Sequence, residues 1–101
     1  MMDYLKNYGI TDDDIKYMEH LFENAGSVLN TLKYEPERVT RILNLFTSIG
    51  VNNIYGLLIE RPTMICGSEK IIAKKIGAYE DKEELARLLN EDSFNLSLIG
   101  L

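Results

Sequence analysis

Apolar residues recur along this chain at helical spacing. Thr11 is followed by Asp12, Asp13 and Asp14, and then by Ile15, Met18, Leu21, Phe22 and Ala25 at spacings of 3, 3, 1 and 3. Threonine is a good N-cap, and aspartates in a first turn complement the helix dipole. The pattern predicts a helix over about 11–24, which Gly26 ends or interrupts. Pro36 suits a first helical position, and Val39, Ile42, Leu43, Phe46 and Ile49 follow at spacings of 3, 1, 3 and 3 before Gly50. That stripe predicts a helix over about 37–49. Asn52 and Asn53 read as a cap for a short helix over about 51–60, carrying Ile54, Leu57 and Leu58 and broken by Pro62. Ser68 caps another over about 69–76, with Ile71, Ile72 and Ile76 running to Gly77. Leu85, Leu88 and Leu89 predict a last helix over about 80–90. The tail FNLSLIGL reads as a half-turn plugging the end of the core, since no strand partner is visible. No hairpin signal occurs. The expected fold class is all-α, with six to eight short helices.

The expected core is Ile15, Met18, Phe22, Leu29, Val39, Ile42, Leu43, Phe46, Ile49, Ile54, Leu57, Leu58, Ile72, Ile76, Leu85, Leu88 and Leu89. The 101 residues fit a single domain over 1–101.

These segments also repeat. Tyr8-Gly9-Ile10, Ile49-Gly50-Val51 and Ile76-Gly77-Ala78 each precede an amphipathic helix. A breaker and a short apolar stub then follow: residues 25–29, 62–66 and 92–96. The first apolar residues of the second helices, Ile15, Ile54 and Leu85, lie 39 and 31 positions apart. Degenerate helical repeats of about three units are the reading.

The stretch over 41–77 resembles the mitochondrial transcription termination factor (mTERF) repeat. That motif has a helix ending near a glycine, a second helix with paired leucines, and a proline soon after. Ile49-Gly50, Leu57-Leu58, Pro62 and Ser68 fall in that order. The resemblance implies a curved stack of helical triplets, each closing in a short 3₁₀ turn. It also implies a basic groove that binds nucleic acid through the backbone.

Charge changes the picture more than composition does. The net charge is −5. Residues 1–32 hold two basic against six acidic side chains, residues 33–75 seven against four, and residues 76–101 two against six. A basic middle therefore lies between acidic ends. The nucleic-acid alternative would use Lys33, Arg38, Arg41, Arg61, Lys70, Lys74 and Lys75. The leading reading is a non-enzymatic interaction protein, an adaptor or inhibitor that presents Asp12, Asp13, Glu19, Glu80, Glu83 and Glu84 to a protein partner.

Candidate chemistry is sparse. His20 and Cys66 are each the single residue of their kind, which leaves neither a disulfide nor a multi-histidine metal set. A nucleophilic pair would need folding to bring them together. The three consecutive aspartates point about 100° apart on a helix and do not converge on one ion. No phosphate-loop motif is present, and Gly67-Ser68-Glu69-Lys70 lacks a second glycine. No enzyme, cofactor or metal is expected. Six tyrosines are candidate contact residues. No secretory signal or membrane span is visible, and a cytoplasmic setting is expected.

Overall fold

The computed structural model describes residues 2–101, and among them there are six α-helices, three 3₁₀ helices and no strand. In chain order they are η1 (Asp3–Tyr8), α1 (Asp12–Leu21), α2 (Gly26–Tyr34), α3 (Pro36–Thr47), α4 (Ile54–Glu60), η2 (Pro62–Cys66), α5 (Glu69–Ala78), α6 (Lys82–Glu91) and η3 (Ser93–Ile99). The order α, α, 3₁₀ thus occurs twice, as α3–α4–η2 and as α5–α6–η3.

Local chemistry starts most of these helices. Thr11 Oγ1 accepts from the Asp14 amide at 3.1 Å, while the Asp14 carboxylate accepts from the Thr11 amide at 3.1 Å. That reciprocal box satisfies two donors that a helix start leaves bare. Ser68 accepts from Ile71 N, Asp81 from Glu84 N and Asp92 from Phe94 N. Pro36 and Pro62 both open their elements.

The end of α3 explains Gly50. Gly50 has φ +105°, and Val51 N–H donates back to Phe46 C=O while Gly50 N–H donates to Thr47 C=O. This is a Schellman ending, and it needs a residue that tolerates the left-handed region. Gly100 closes η3 in the same way, with Leu101 N–H on Leu96 C=O.

Four expectations need correction. Gly26 opens α2, a helix absent from the sequence reading, which treated residues 25–29 as a stub. Val28, Thr31 and Leu32 are its buried stripe, and Leu29 is only half-buried. Gly77 does not end α5, which runs through it to Ala78 without a left-handed turn. Asn53 does not cap α4 with its side chain. Its Nδ2 donates instead to Leu89 C=O, and Asn90 Oδ1 accepts from the Asn52 and Asn53 amides. Finally, Ile49 and Leu88 are half-buried, while Val51 and Ala86 are buried in the core. The reversal at Gly50 turns Val51 inward. A β-carbon placed at Gly50 would stand 3.6 Å from that of Ala86, an ordinary contact, so the left-handed φ and not crowding is what calls for glycine there.

One core runs through all nine elements, and its largest wholly buried side chain is Phe46. Two of the 3₁₀ helices contribute through three-residue spacing, since side chains at i and i+3 eclipse there, while η2 buries the adjacent Met64 and Ile65. Met2 and Leu5 are buried at that spacing beside η1, as are Leu96 and Ile99 in η3. The tail does plug the core, as a seven-residue 3₁₀ helix packed on α4, α5 and α6. η2 packs in turn on α2, α3 and α4.

Phe46→Ala should lower unfolding free energy in urea by about 3–5 kcal/mol, the range for emptying a well-packed aromatic site. A loss below about 1 kcal/mol would place Phe46 outside the load of the core. Tyr4 gives a second test. Its hydroxyl donates to Leu32 C=O at 2.7 Å, tying η1 to α2. Burial raises the Tyr4 phenol pKa above its ordinary value, and Tyr8 adds to the shift. Above a pH of about 10 the unfolded chain releases this proton while the folded one retains it, so stability falls as pH rises further. Tyr4→Phe should lose about 1 kcal/mol at neutral pH and show a shallower alkaline decline in denaturation midpoint. An unchanged alkaline slope would contradict the assignment to Tyr4.

Candidate surface for macromolecular contact

The sequence-predicted basic residues are largely committed to the chain itself. Arg38, on α3, donates from Nε to Ile65 C=O at 3.0 Å and from Nη2 to Gly67 C=O. Both carbonyls lie at the end of η2, where helix geometry leaves acceptors bare. Arg61 donates to Leu101 C=O, and Lys75 to Gly100 C=O at 2.9 Å. Those two acceptors lie at the end of η3. Arg41 pairs with Glu69 of α5, with Nε 3.1 Å and 3.2 Å from the two carboxylate oxygens.

Lys33, Lys70 and Lys74 make no ion pair or side-chain hydrogen bond among the described residues. Lys33 is half-buried in a hollow with Asp3, Asp12, Lys16 and Glu19. Lys70 and Lys74 stand exposed, one turn apart on α5. Arg38 and Arg41 do reach the start of α5 near Lys70, Arg38 through two carbonyls and the exposed Arg41 through Nε alone.

Outside the basic middle, Lys82 donates to Gly77 and Tyr79 carbonyls, and Arg87 bonds Glu91 at 2.9 Å and lies 3.7 Å from Glu84. Lys6 lies 2.8 Å from Asp12 and 3.5 Å from Asp3. The Lys6 ammonium holds the Asp12 carboxyl below its ordinary pKa, and Asp12 raises that of Lys6 in turn. Seven of the eleven lysines and arginines are thus engaged within the chain.

The predicted acidic residues fall in two places. Asp12 and Glu19 line the mixed-charge hollow beside Lys16 and Lys33, and Asp13 is exposed on the same helix. Glu80, Glu83 and Glu84 gather at the turn between α5 and α6, around a hollow that also includes Tyr79. Asp13, Glu19, Glu80 and Glu83 meet no cation among the described residues.

On the outer side of α1, Tyr17 is one of the six candidate contact tyrosines, and Leu21, expected on the apolar stripe with Ile15, Met18 and Phe22, is instead exposed. Tyr17 is 52 % exposed and Leu21 44 % exposed. They are four apart, so they neighbour one another on the helix, and Asp13 and Asp14 lie one turn before Tyr17. Burial raises the pKa of the half-exposed Tyr55 phenol on α4, and the nearby Asp14 carboxylate and Tyr17 add to that shift. Tyr17 and Leu21 therefore form an exposed aromatic and apolar pair on α1 beside Asp13 and Asp14. Leu21 lies three residues after Met18 but turns to the outer side with Tyr17, four residues before it, while Ile15, Met18 and Phe22 face the core.

No hydrogen bond joins His20 and Cys66 among the described residues. His20 is exposed on α1. Cys66 Sγ lies 3.5 Å from Thr31 Oγ1 and 3.7 Å from Ser27 C=O, joining η2 to α2. Among the described residues no three histidine, cysteine or acidic side chains group as a metal site, and no helix is long and apolar enough to cross a membrane.

The two kinds of lysine and arginine separate in a stability measurement. Arg38→Met strands two carbonyls and should cost about 2–3 kcal/mol, in line with hydrogen bonds to charged groups. Lys74→Met should change unfolding free energy by no more than about 0.5 kcal/mol, as for other isolated surface positions. Equal losses in urea denaturation would refute the distinction.

No family model, curated protein or solved structure matches this sequence.

Proposed function

We propose that this chain is a small acidic helical-repeat module that docks on a protein partner and acts as an adaptor or inhibitor. The observation that carries the reading is the surface of α1, where Tyr17 and Leu21 are exposed beside carboxylates that include the unpaired Asp13. Tyrosine supplies a large contact area at low entropy cost and is enriched in interfaces. The surrounding carboxylates favour a partner whose docking surface is basic around an apolar centre, and they speed its approach. Engagement of Arg38, Arg41, Arg61 and Lys75 within the fold supports protein over nucleic acid. A duplex would meet few free cations and a net negative field across a domain only a few Debye lengths wide.

The same reading takes α3–α4–η2 and α5–α6–η3 as two units of a helical repeat, the order that the resemblance to mTERF repeats implies. Buried Ile54, Leu58 and Ile65 recur 31 positions later as buried Leu85, Leu89 and Leu96. A cation on the first helix of each unit bonds the carbonyl end of its own 3₁₀ helix, Arg38 in one and Lys75 in the other.

Photo-crosslinking tests the docking face. A benzophenone amino acid at Tyr17 should give a discrete adduct with a protein of basic surface in cell extract, and the same group at Tyr34 should not. Asp13→Lys with Leu21→Ser should abolish the Tyr17 adduct while the thermal midpoint shifts little. Identical adduct patterns at both positions would sink the proposal. So would sub-micromolar binding to a nucleic-acid duplex at physiological salt that Lys33→Glu, Lys70→Glu and Lys74→Glu together remove.

A further inference from the structure

One hollow gathers charges that the fold leaves unused. It lies between the start of η1, α1 and α2, and its volume is about 310 Å³. Met2 and Ile15, both buried, give it an apolar floor. Seven of the eleven lysines and arginines are engaged within the chain, and two of the other four line this hollow. They are Lys16 of α1 and Lys33 of α2. Glu19 lines it as well and meets no cation among the described residues. The remaining wall carboxylates are already answered, since Lys6 lies 2.8 Å from Asp12 and 3.5 Å from Asp3. What is left around the floor is two ammonium groups and one carboxylate.

The fold sets this arrangement. Asp12, Lys16 and Glu19 follow one another on successive turns of α1, a stripe about 10 Å long. Lys33 reaches the hollow from a different helix and is half-buried. A half-buried ammonium without a counter-charge has given up water for nothing in return. Its like-charged neighbour Lys16 adds repulsion. An anionic group that meets both lysines removes both costs. An anion alone would still leave Glu19 unanswered, whereas a ligand that also carries an ammonium group answers all three.

We infer that this hollow binds a small zwitterion of the aliphatic α-amino acid class. Its carboxylate meets Lys16 and Lys33, its ammonium meets Glu19, and its side chain lies on Met2 and Ile15. Ligand sites span about 300–1,000 Å³, and a hollow at the small end of that range suits a ligand of this size. Asp13, Tyr17 and Leu21 lie about a third of a turn away around α1, so the docking face and this site stand or fall separately.

An NMR titration of the isotope-labelled chain with leucine, N-acetyl-leucine and leucinamide tests the inference. Leucine should shift the backbone amides of Ile15, Lys16, Glu19 and Lys33 in a saturable way. N-acetyl-leucine lacks the ammonium and leucinamide lacks the carboxylate. Each should bind about tenfold or more weakly than leucine, the loss expected when a buried charge contact goes unmade. Lys33→Gln and Glu19→Gln should each weaken leucine by a similar factor, with the thermal midpoint unchanged. Lys74→Gln should leave binding as it is. No saturable shift with leucine up to tens of millimolar overturns the inference. A blocked derivative that binds as well as leucine overturns it too, and so does a Lys33 or Glu19 variant that binds leucine at full strength.

Discussion

The bare carbonyl end of a short helix is the constraint around which this structure is arranged. Every helix leaves its last carbonyls without intrahelical partners, and the nine short elements among the described residues multiply that burden. Long helices dilute the cost over many internal bonds, and this chain has none. Its solution is to send side chains across the fold. Arg38 reaches the end of η2, Arg61 and Lys75 reach the end of η3, and Lys82 turns back onto the end of α5. Asparagines do the same work where no charge is used. Asn90 holds three backbone groups of the segment before α4, and Asn95 Nδ2 donates to Leu88 C=O at 2.8 Å.

That arrangement sets the character of the surface. A guanidinium bound to a carbonyl keeps its charge and its remaining donors, but its position is fixed. What projects freely is therefore more acidic than composition implies. Of the sixteen carboxylates, Asp14, Asp81 and Asp92 serve helix starts and Asp3, Asp12, Glu69, Glu84 and Glu91 sit in ion pairs, which leaves eight without such a contact among the described residues. The basic middle of the sequence is thus largely a set of internal ties, and Lys70 and Lys74 stand out because they are not among them.

The ties also explain how small 3₁₀ helices can finish a core. A 3₁₀ helix has poorer hydrogen-bond geometry than an α-helix and rarely persists alone. Here η2 and η3 each bury apolar residues inward while a cation from another element bonds their last carbonyls. Burial and capping act on the same few residues, so neither is independent of the other. Cys66 and Thr31 add a contact between η2 and α2, which helps to fix the helix that the hydrophobic pattern did not reveal.

The sequence by itself determined the helices with strong stripes and strong starts. α1, α3, α5 and α6 follow from Thr11, Pro36, Ser68 and the spacing of residues such as Val39, Leu43 and Phe46. The reason is that capping and amphipathic periodicity act within a few residues and need no distant partner. α2 was not legible, because Gly26 resembles a breaker and its stripe of Val28, Thr31 and Leu32 includes a threonine that only tertiary packing buries. The exchange of Ile49 for Val51 in the core likewise depended on where the left-handed turn at Gly50 sent the chain. The candidate surfaces divide in the same way. Exposure of acidic residues on α1 and α6 was legible, since charges avoid burial. Which cations remain free was decided by tertiary structure alone. A lysine beside a carbonyl 25 residues away reads no differently in sequence from a lysine in water.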